Sequence, residues 1–343
     1  MKTFVPFHKI EKQQVTIVDG LHPQNLCLSH WKGANSIEEI AADTSGEIVL
    51  NALSKNYPGV NNRLVSATHF DIDGFVGVFA LFYPETAMQN KQELKAMAQI
   101  GDFREFKKHN GIHDFALKLC CWINKVEKDR FYRPFESKNE IENCVEKFEL
   151  FLPLFKKVIN NIEDYKEDWK EEYEAVQNGI QNELSSEVHD SIGLVKKEFK
   201  KTSHYYALFS ETQGYDIVLS IYPNQRYELE YKYTTWIDLA SRSNLPRIDL
   251  KPLAALLNHM EHSEYNWQVD SISDTGPILR LEASRLSKAD RYSNPAEREI
   301  YTSSISVKEF KKTVITYLNR AFKGLEAKKN RTWSEMRKLK GLI

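Results

Sequence analysis

Residues 63–82 place an apolar run, an acidic turn and a second apolar run end to end, and few folds accommodate that order. Leu64, Val65, Ala67 and Phe70 form a short apolar stretch between polar residues, which reads as a buried strand. At its C-terminal edge comes His69-Phe70-Asp71-Ile72-Asp73-Gly74. Gly74 then releases the chain into residues 75–82, apolar on every face and so a buried helix that stops near Pro84. Strand, acidic turn and buried helix begin an open α/β unit, whose ligands gather beyond the carboxyl ends of the strands.

The flanking sequence extends that pattern. Val15–Val18 and Leu26–Leu28 read as short strands joined by a turn holding Gly20, Pro23 and Asn25. Residues 36–53 suit a helix broken near Gly46, and residues 85–184 form a long helical stretch with a charged, solvated run inside it. Beyond the basic residues 196–201 the texture turns to strands, at 205–209, 217–221 and 227–236. A helix over 252–260, strands at 267–272 and 278–281 and a helix from Val307 follow. The expected fold is α/β. Residues 1–200 form an open, mostly parallel sheet with a helical insertion, and residues 201–343 a smaller α/β domain ending in a basic helix.

Composition narrows the function classes. The 343 residues are 41% hydrophobic, enough for a sizeable core, and 47 Lys and Arg balance 48 Asp and Glu. A net charge of -1 gives no long-range pull on polyanions, so a nucleic-acid site has to be a local patch, such as the basic C-terminal tail with Phe322 and Trp333. Cys27, Cys120, Cys121 and Cys144 make no disulfide framework. No apolar stretch is long enough to cross a bilayer and residues 1–18 hold no leader-like run, so the expectation is a cytoplasmic protein without membrane contact.

Two aspartates spaced as D-x-D repel each other unless a cation lies between them. Hard oxygens joined by a histidine suit Mn²⁺ or Mg²⁺, ions that polarise phosphoryl oxygens and acidify a bound water. The catalytic candidates are therefore Asp71, Asp73 and His69, and the metal candidates His69, Asp71, Asp73 and Asp102, the last taken to sit in a glycine turn after a helix. Asp19, His30, the His113-Asp114 pair and the His189-Asp190 pair are weaker candidates. The same residues also admit a structural reading, with Asp71 capping the following helix, Asp73 holding the turn and His69 packing. On the catalytic reading, Asp73→Asn abolishes divalent-dependent phosphate release while folding stays intact.

The segment His69-Phe70-Asp71-Ile72-Asp73-Gly74 resembles the first motif of the DHH phosphoesterase superfamily. That resemblance implies that the matching residues ligate Mn²⁺ or Mg²⁺. Residues 240–250, with Arg242-Ser243-Asn244-Leu245-Pro246-Arg247, are similar to the Arg-Ser segment of the associated substrate domain, which implies that Arg242, Ser243 and Arg247 bind a substrate phosphate. Asp-His-His itself is absent from the sequence. Taken with Leu28-Ser29-His30-Trp31 and Gly101-Asp102-Phe103, the whole pattern also resembles an uncharacterised bacterial protein family.

These features lead to a metal-dependent phosphoesterase or pyrophosphohydrolase whose partner is a small phosphorylated molecule or short oligonucleotide. Two alternatives remain at this level. One is a non-catalytic binding module with a degenerate site. The other is a haloacid-dehalogenase-like phosphatase, in which Asp71 would be the nucleophile and Asp73 the acid/base.

Overall fold

The computed structural model describes residues 2–34, 37–131, 140–234, 237–284 and 286–339. It is a mixed α/β protein that divides into two compact units, Met1–Glu174 and Ala175–Ile343. The division falls ahead of residue 200 because residues 183–199 form a hairpin that belongs to the second sheet.

In the first unit, β1 (Thr3–Phe4), β2 (Val15–Val18), β3 (Leu26–Leu28) and β4 (Leu64–Ala67) make a parallel sheet in the order β1-β4-β2-β3. All four residues of β2 are buried, as a central parallel strand covered on both faces requires. Around this sheet the chain forms α1 (Ser45–Ser54), α2 (Ile72–Phe82), α3 (Pro84–Gln89), α4 (Lys91–Phe103), α5 (Gly111–Arg130) and α6 (Glu140–Val158), and α7 (Lys166–Gln181) runs across the division between the units. The expected buried helix is α2. It is apolar all round because Phe75 and Phe79 meet Phe155 edge-on on the side of α6, while Gly77 faces Val18 of β2.

Close approach of α1 and α2 depends on two glycines. A Cβ on Gly77 would lie 2.6 Å from Val18 Cγ1 and 3.5 Å from the Cα of Gly46, and one on Gly46 would lie 2.8 Å from Val76 Cγ1. Gly46 therefore does not break a helix spanning 36–53. It lies in the first turn of α1, which starts after Thr44, whose side chain accepts from the Glu47 N–H at 3.2 Å. Residues 38–40 form a separate 3₁₀ turn.

The second unit carries β5 (Glu183–His189), β6 (Leu194–Phe199), α8 (Tyr205–Phe209), β7 (Ile217–Tyr222), β8 (Arg226–Tyr231), α9 (Lys251–Met260), β9 (Asn266–Val269), β10 (Ile278–Glu282), α10 (Lys288–Arg291), α11 (Val307–Ala321) and α12 (Trp333–Leu339). Its sheet runs β5-β6-β7-β8-β10-β9 and is antiparallel except between β6 and β7. One face presents Leu219, Leu229 and Leu279 to Leu253 and Leu257 of α9 and Phe310, Val314 and Leu318 of α11. Phe322 belongs to this core and is not exposed for stacking. Residues 205–209 are helical rather than extended: the His204 ring accepts from the Tyr206 N–H at 3.2 Å, and Leu208 and Phe209 bury against Phe199 and Val218. Among the described residues no helix is long and apolar enough to cross a membrane.

Gly77→Val should overpack the α1–α2–β2 junction and lower unfolding free energy by about 1–3 kcal/mol. Urea titration followed by circular dichroism measures this, and an unchanged midpoint would contradict the packing described.

Candidate metal centre

Three parallel strands deliver polar residues to one end of the first sheet. β2 is followed by Asp19, β3 by Ser29 and His30, and β4 by Thr68 and His69. Asp19 has a φ of 48°, a left-handed conformation that aspartate tolerates better than most residues. Asp71 is the N-cap of α2 and Asp73 lies in its first turn, while Asp102 arrives on the last turn of α4. Gly101-Asp102-Phe103 is thus helical, and Gly101 serves packing, since a Cβ there would lie 2.6 Å from Ile72 Cβ.

These groups form two His/Asp triads that share Asp19: Asp19 with His69 and Asp71, and Asp19 with His30 and Asp73. Asp19 Oδ2 lies 3.5 Å from His69 Nε2 and its Oδ1 lies 3.4 Å from His30 Nε2, so one carboxylate faces both imidazoles. His69 Nε2 is 3.2 Å from Asp71 Oδ2, and His30 Nε2 is 3.3 Å from Asp102 Oδ2 and 3.8 Å from Asp73 Oδ2. The second triad is closed, with side chains of His30, Asp19 and Asp73 3%, 3% and 0% exposed, whereas His69 and Asp71 keep 28% and 36%.

Hydrogen bonds set both imidazoles the same way. His30 Nδ1 donates to the Asp43 carbonyl at 2.6 Å. Thr68 Oγ1 spends its hydrogen on the Asp19 carbonyl at 3.1 Å, so at 3.0 Å it accepts from His69 Nδ1. In each ring the proton on Nδ1 is fixed by an oxygen and Nε2 is turned toward the carboxylates, the arrangement that presents an imidazole to a metal ion. This donor set fits a divalent cation.

The aspartates carry structural duties as well. Asp71 Oδ1 accepts from the Gly74 N–H at 2.7 Å, leaving Oδ2 for His69. Asp73 accepts from the Ser45 N–H at 2.8 Å and the Gly46 N–H at 2.7 Å, so both its oxygens dock the N-terminus of α1. The Ser45 hydroxyl donates to Asp19 Oδ1 at 2.7 Å. Capping by these aspartates therefore does not exclude a ligand role.

Without a cation the site holds protons. Burial opposes charge on His30, yet Asp102, Asp19 and Asp73 raise it to about 10. Burial also opposes charge on His69, and Asp71, Asp19 and Asp102 raise it to about 10. Burial pushes Asp73 up to about 7, with Asp19 and Asp71 adding to the rise and His30 and the Gly46 amide opposing it. Burial and the charge of Asp73 drive Asp102 well above the usual carboxylate range. Asp19 alone falls, to about 2, because its hydrogen bond to His30, the charges of His69 and His30 and the Ser45 hydroxyl outweigh burial.

The remaining candidates lie elsewhere. His113 Nδ1 accepts from the Lys107 N–H at 3.2 Å and Asp114 accepts from the Tyr173 hydroxyl, both at the start of α5. In the second unit, His189 pairs with Glu187 at 3.3 Å and Asp190 accepts from the Tyr215 hydroxyl at 2.7 Å. Arg242 forms a two-pronged pair with Asp216, at 2.6 and 3.0 Å. Buried Arg247 donates to the carbonyl oxygens of Lys232, Asp274 and Thr275, while Ser243 is exposed. Arg242 and Arg247 are thus engaged within their own unit. At the C-terminus Lys328 pairs with Glu335 and Arg331 donates to the Glu326 carbonyl.

One family model spans residues 1–329. The chain belongs to DUF6687, a family of unknown function. No curated protein and no solved structure matches it. The DUF6687 match contains the whole acidic cluster and all strands of both sheets.

The pH behaviour of the ion-free protein follows in sign. His30 and His69 hold folded values of about 10 against an ordinary 6.5, so their contribution is complete below 6.5 and lost as pH rises toward 10. Asp73, at about 7 against 3.8, acts in the same sense between those values. In a chelator the melting temperature should fall from about pH 6 to about pH 9, and Mn²⁺ should restore more of it at the higher pH. Calorimetry in buffers of different ionisation enthalpy should register proton release on Mn²⁺ binding, and binding with no proton release would overturn this account.

Proposed function

We propose that this DUF6687 protein is a divalent-metal-dependent phosphohydrolase acting on a small phosphorylated or nucleotide substrate. The observation that carries the reading is the pair of His/Asp triads sharing Asp19 at the carboxyl ends of parallel strands. The resemblance of residues 69–74 to DHH phosphoesterases supports the same chemistry.

Asp19, His30 and Asp73 with Asp102 would hold one Mn²⁺ or Mg²⁺, and Asp19, His69 and Asp71 a second. Two imidazoles among carboxylates favour Mn²⁺, since Mg²⁺ prefers oxygen ligands throughout. Such ions neutralise phosphoryl oxygens and acidify an attacking water. The protein's own groups divide the work by exposure. His30, Asp19 and Asp73 shut water out of one half, while His69, Asp71 and Asp102, whose side chain is 14% exposed, face the side from which substrate enters. Asp102 would give up the proton it holds in the ion-free protein when a cation binds, since only the carboxylate ligates.

Asp73→Asn is a poor test of this chemistry. An amide nitrogen would oppose one of the Ser45 and Gly46 N–H groups, so both folding and activity would suffer. His69→Ala and Asp102→Asn leave that dock intact. Each should lower Mn²⁺-dependent hydrolysis of a chromogenic phosphodiester by at least about 100-fold. Asp102→Asn, which puts a neutral amide where the ion-free protein holds a protonated carboxyl, should leave the melting temperature in chelator unreduced, whereas His69→Ala gives up the stability of its paired imidazole. Wild-type rates in both variants would sink the proposal.

A further inference from the structure

A cavity of about 380 Å³ opens beside β3, between the 21–27 segment and residues 33, 34 and 37. Its two walls are the chain leaving two of the candidate ligands. Leu21 comes two residues after Asp19 and Gly33 three residues after His30. Extended chain covers at most ~3.6 Å per residue, so the walls begin within about 7 and 11 Å of those ligands. A phosphate at the cluster and an organic group in the cavity are therefore within reach of one small molecule.

The lining selects the group. Among the described residues it contains no Lys, Arg, Asp or Glu, and Leu21, Leu26 and Ile37 supply apolar surface. Asn25 is already committed, its Oδ1 accepting from the Val15 N–H at 2.9 Å. The Cys27 thiol is likewise committed to the backbone of His22. His22 is different. Its Nδ1 accepts from the Gln24 N–H at 3.2 Å, which puts the ring hydrogen on Nε2, and Phe7 meets the ring edge-on at 6.0 Å. An uncharged slot whose surface is about evenly polar and apolar, with Asn25 and Cys27 already engaged and one fixed ring donor, suits a planar heterocycle bearing a ring acceptor. A sugar needs more polar partners, and a charged peptide needs a counter-charge.

We propose that this cavity takes the base of a nucleoside phosphate, with His22 Nε2–H as the specificity-determining donor. The assignment rests on the metal-dependent reading for the position of the phosphate. Titration calorimetry with AMP and with ribose 5-phosphate, each with and without Mn²⁺, tests it in wild type, His22→Phe and Ala34→Trp. Wild type should bind AMP at least about tenfold more tightly than ribose 5-phosphate. Ala34→Trp should erase that ratio and His22→Phe reduce it severalfold, with Mn²⁺ isotherms unchanged. Leu21→Trp, at a side chain already 39% exposed, fills the same space should Ala34→Trp fail to fold. Equal affinity for the two ligands in wild type, or a ratio that survives the filled cavity, overturns the assignment. A wild type with no Mn²⁺ isotherm removes the metal reading instead, and the ratio without Mn²⁺ still decides the cavity.

Discussion

The carboxylate of Asp73, fully buried and held by two amides at the start of α1, is the contact on which the rest of the site depends. Burying an ionised carboxylate costs several kcal/mol, and charge-assisted hydrogen bonds from two backbone N–H groups at a helix N-terminus recover only part of it. The shortfall, with the charges of Asp19 and Asp71, leaves Asp73 raised to about 7. The dock also fixes geometry. It brings Gly46 against α2 and places Ser45, whose hydroxyl orients Asp19, at the centre of the cluster. A helix crossing, a cap and a ligand set are thus consequences of one carboxylate and two glycines.

Much of this was legible in the chain because residues 63–82 are local. The strand, the acidic turn and the apolar helix are each specified by a few consecutive residues; His69 and Asp71 group with Asp19, while Asp73 falls with Asp19 and His30 instead. Asp19 and His30 were only weak candidates, since nothing local marks them. Each is the polar residue just past an apolar strand, and only the parallel order of β2, β3 and β4 makes those strand ends neighbours. The converse holds for His113-Asp114 and His189-Asp190. Adjacency in sequence suggested paired ligands, but neighbouring side chains diverge on helices and strands alike.

Elsewhere tertiary context overrode local preference. Tyr205–Phe209 is rich in aromatic residues and looks extended, yet it folds as a short helix because a histidine cap and a buried pocket reward that form. Residues 183–199 pair as a hairpin across a turn with Gly193 at a φ of 59°, a signal that the surrounding charge obscured. Arg242 was read for the charge that could meet a phosphate. The charge it meets is Asp216, across a loop that pattern alone cannot close.

The charge balance of the cluster accounts for the raised proton affinities of His30, His69, Asp73 and Asp102. Asp19, Asp71, Asp73 and Asp102, all ionised beside neutral imidazoles, would leave four uncompensated negative charges in a largely dry setting. Protons taken up by His30, His69, Asp73 and Asp102 remove that excess, which is the pattern of raised affinities found there. Two divalent cations would, on the proposed reading, remove it equally well, with Nε2 of each imidazole freed by the proton it gives up. A purely structural network gains nothing from such exchange and is more cheaply built from fixed ion pairs or apolar residues. Three acids and two histidines around the shared carboxylate of Asp19 are what the proposed exchange of protons for metal ions would require.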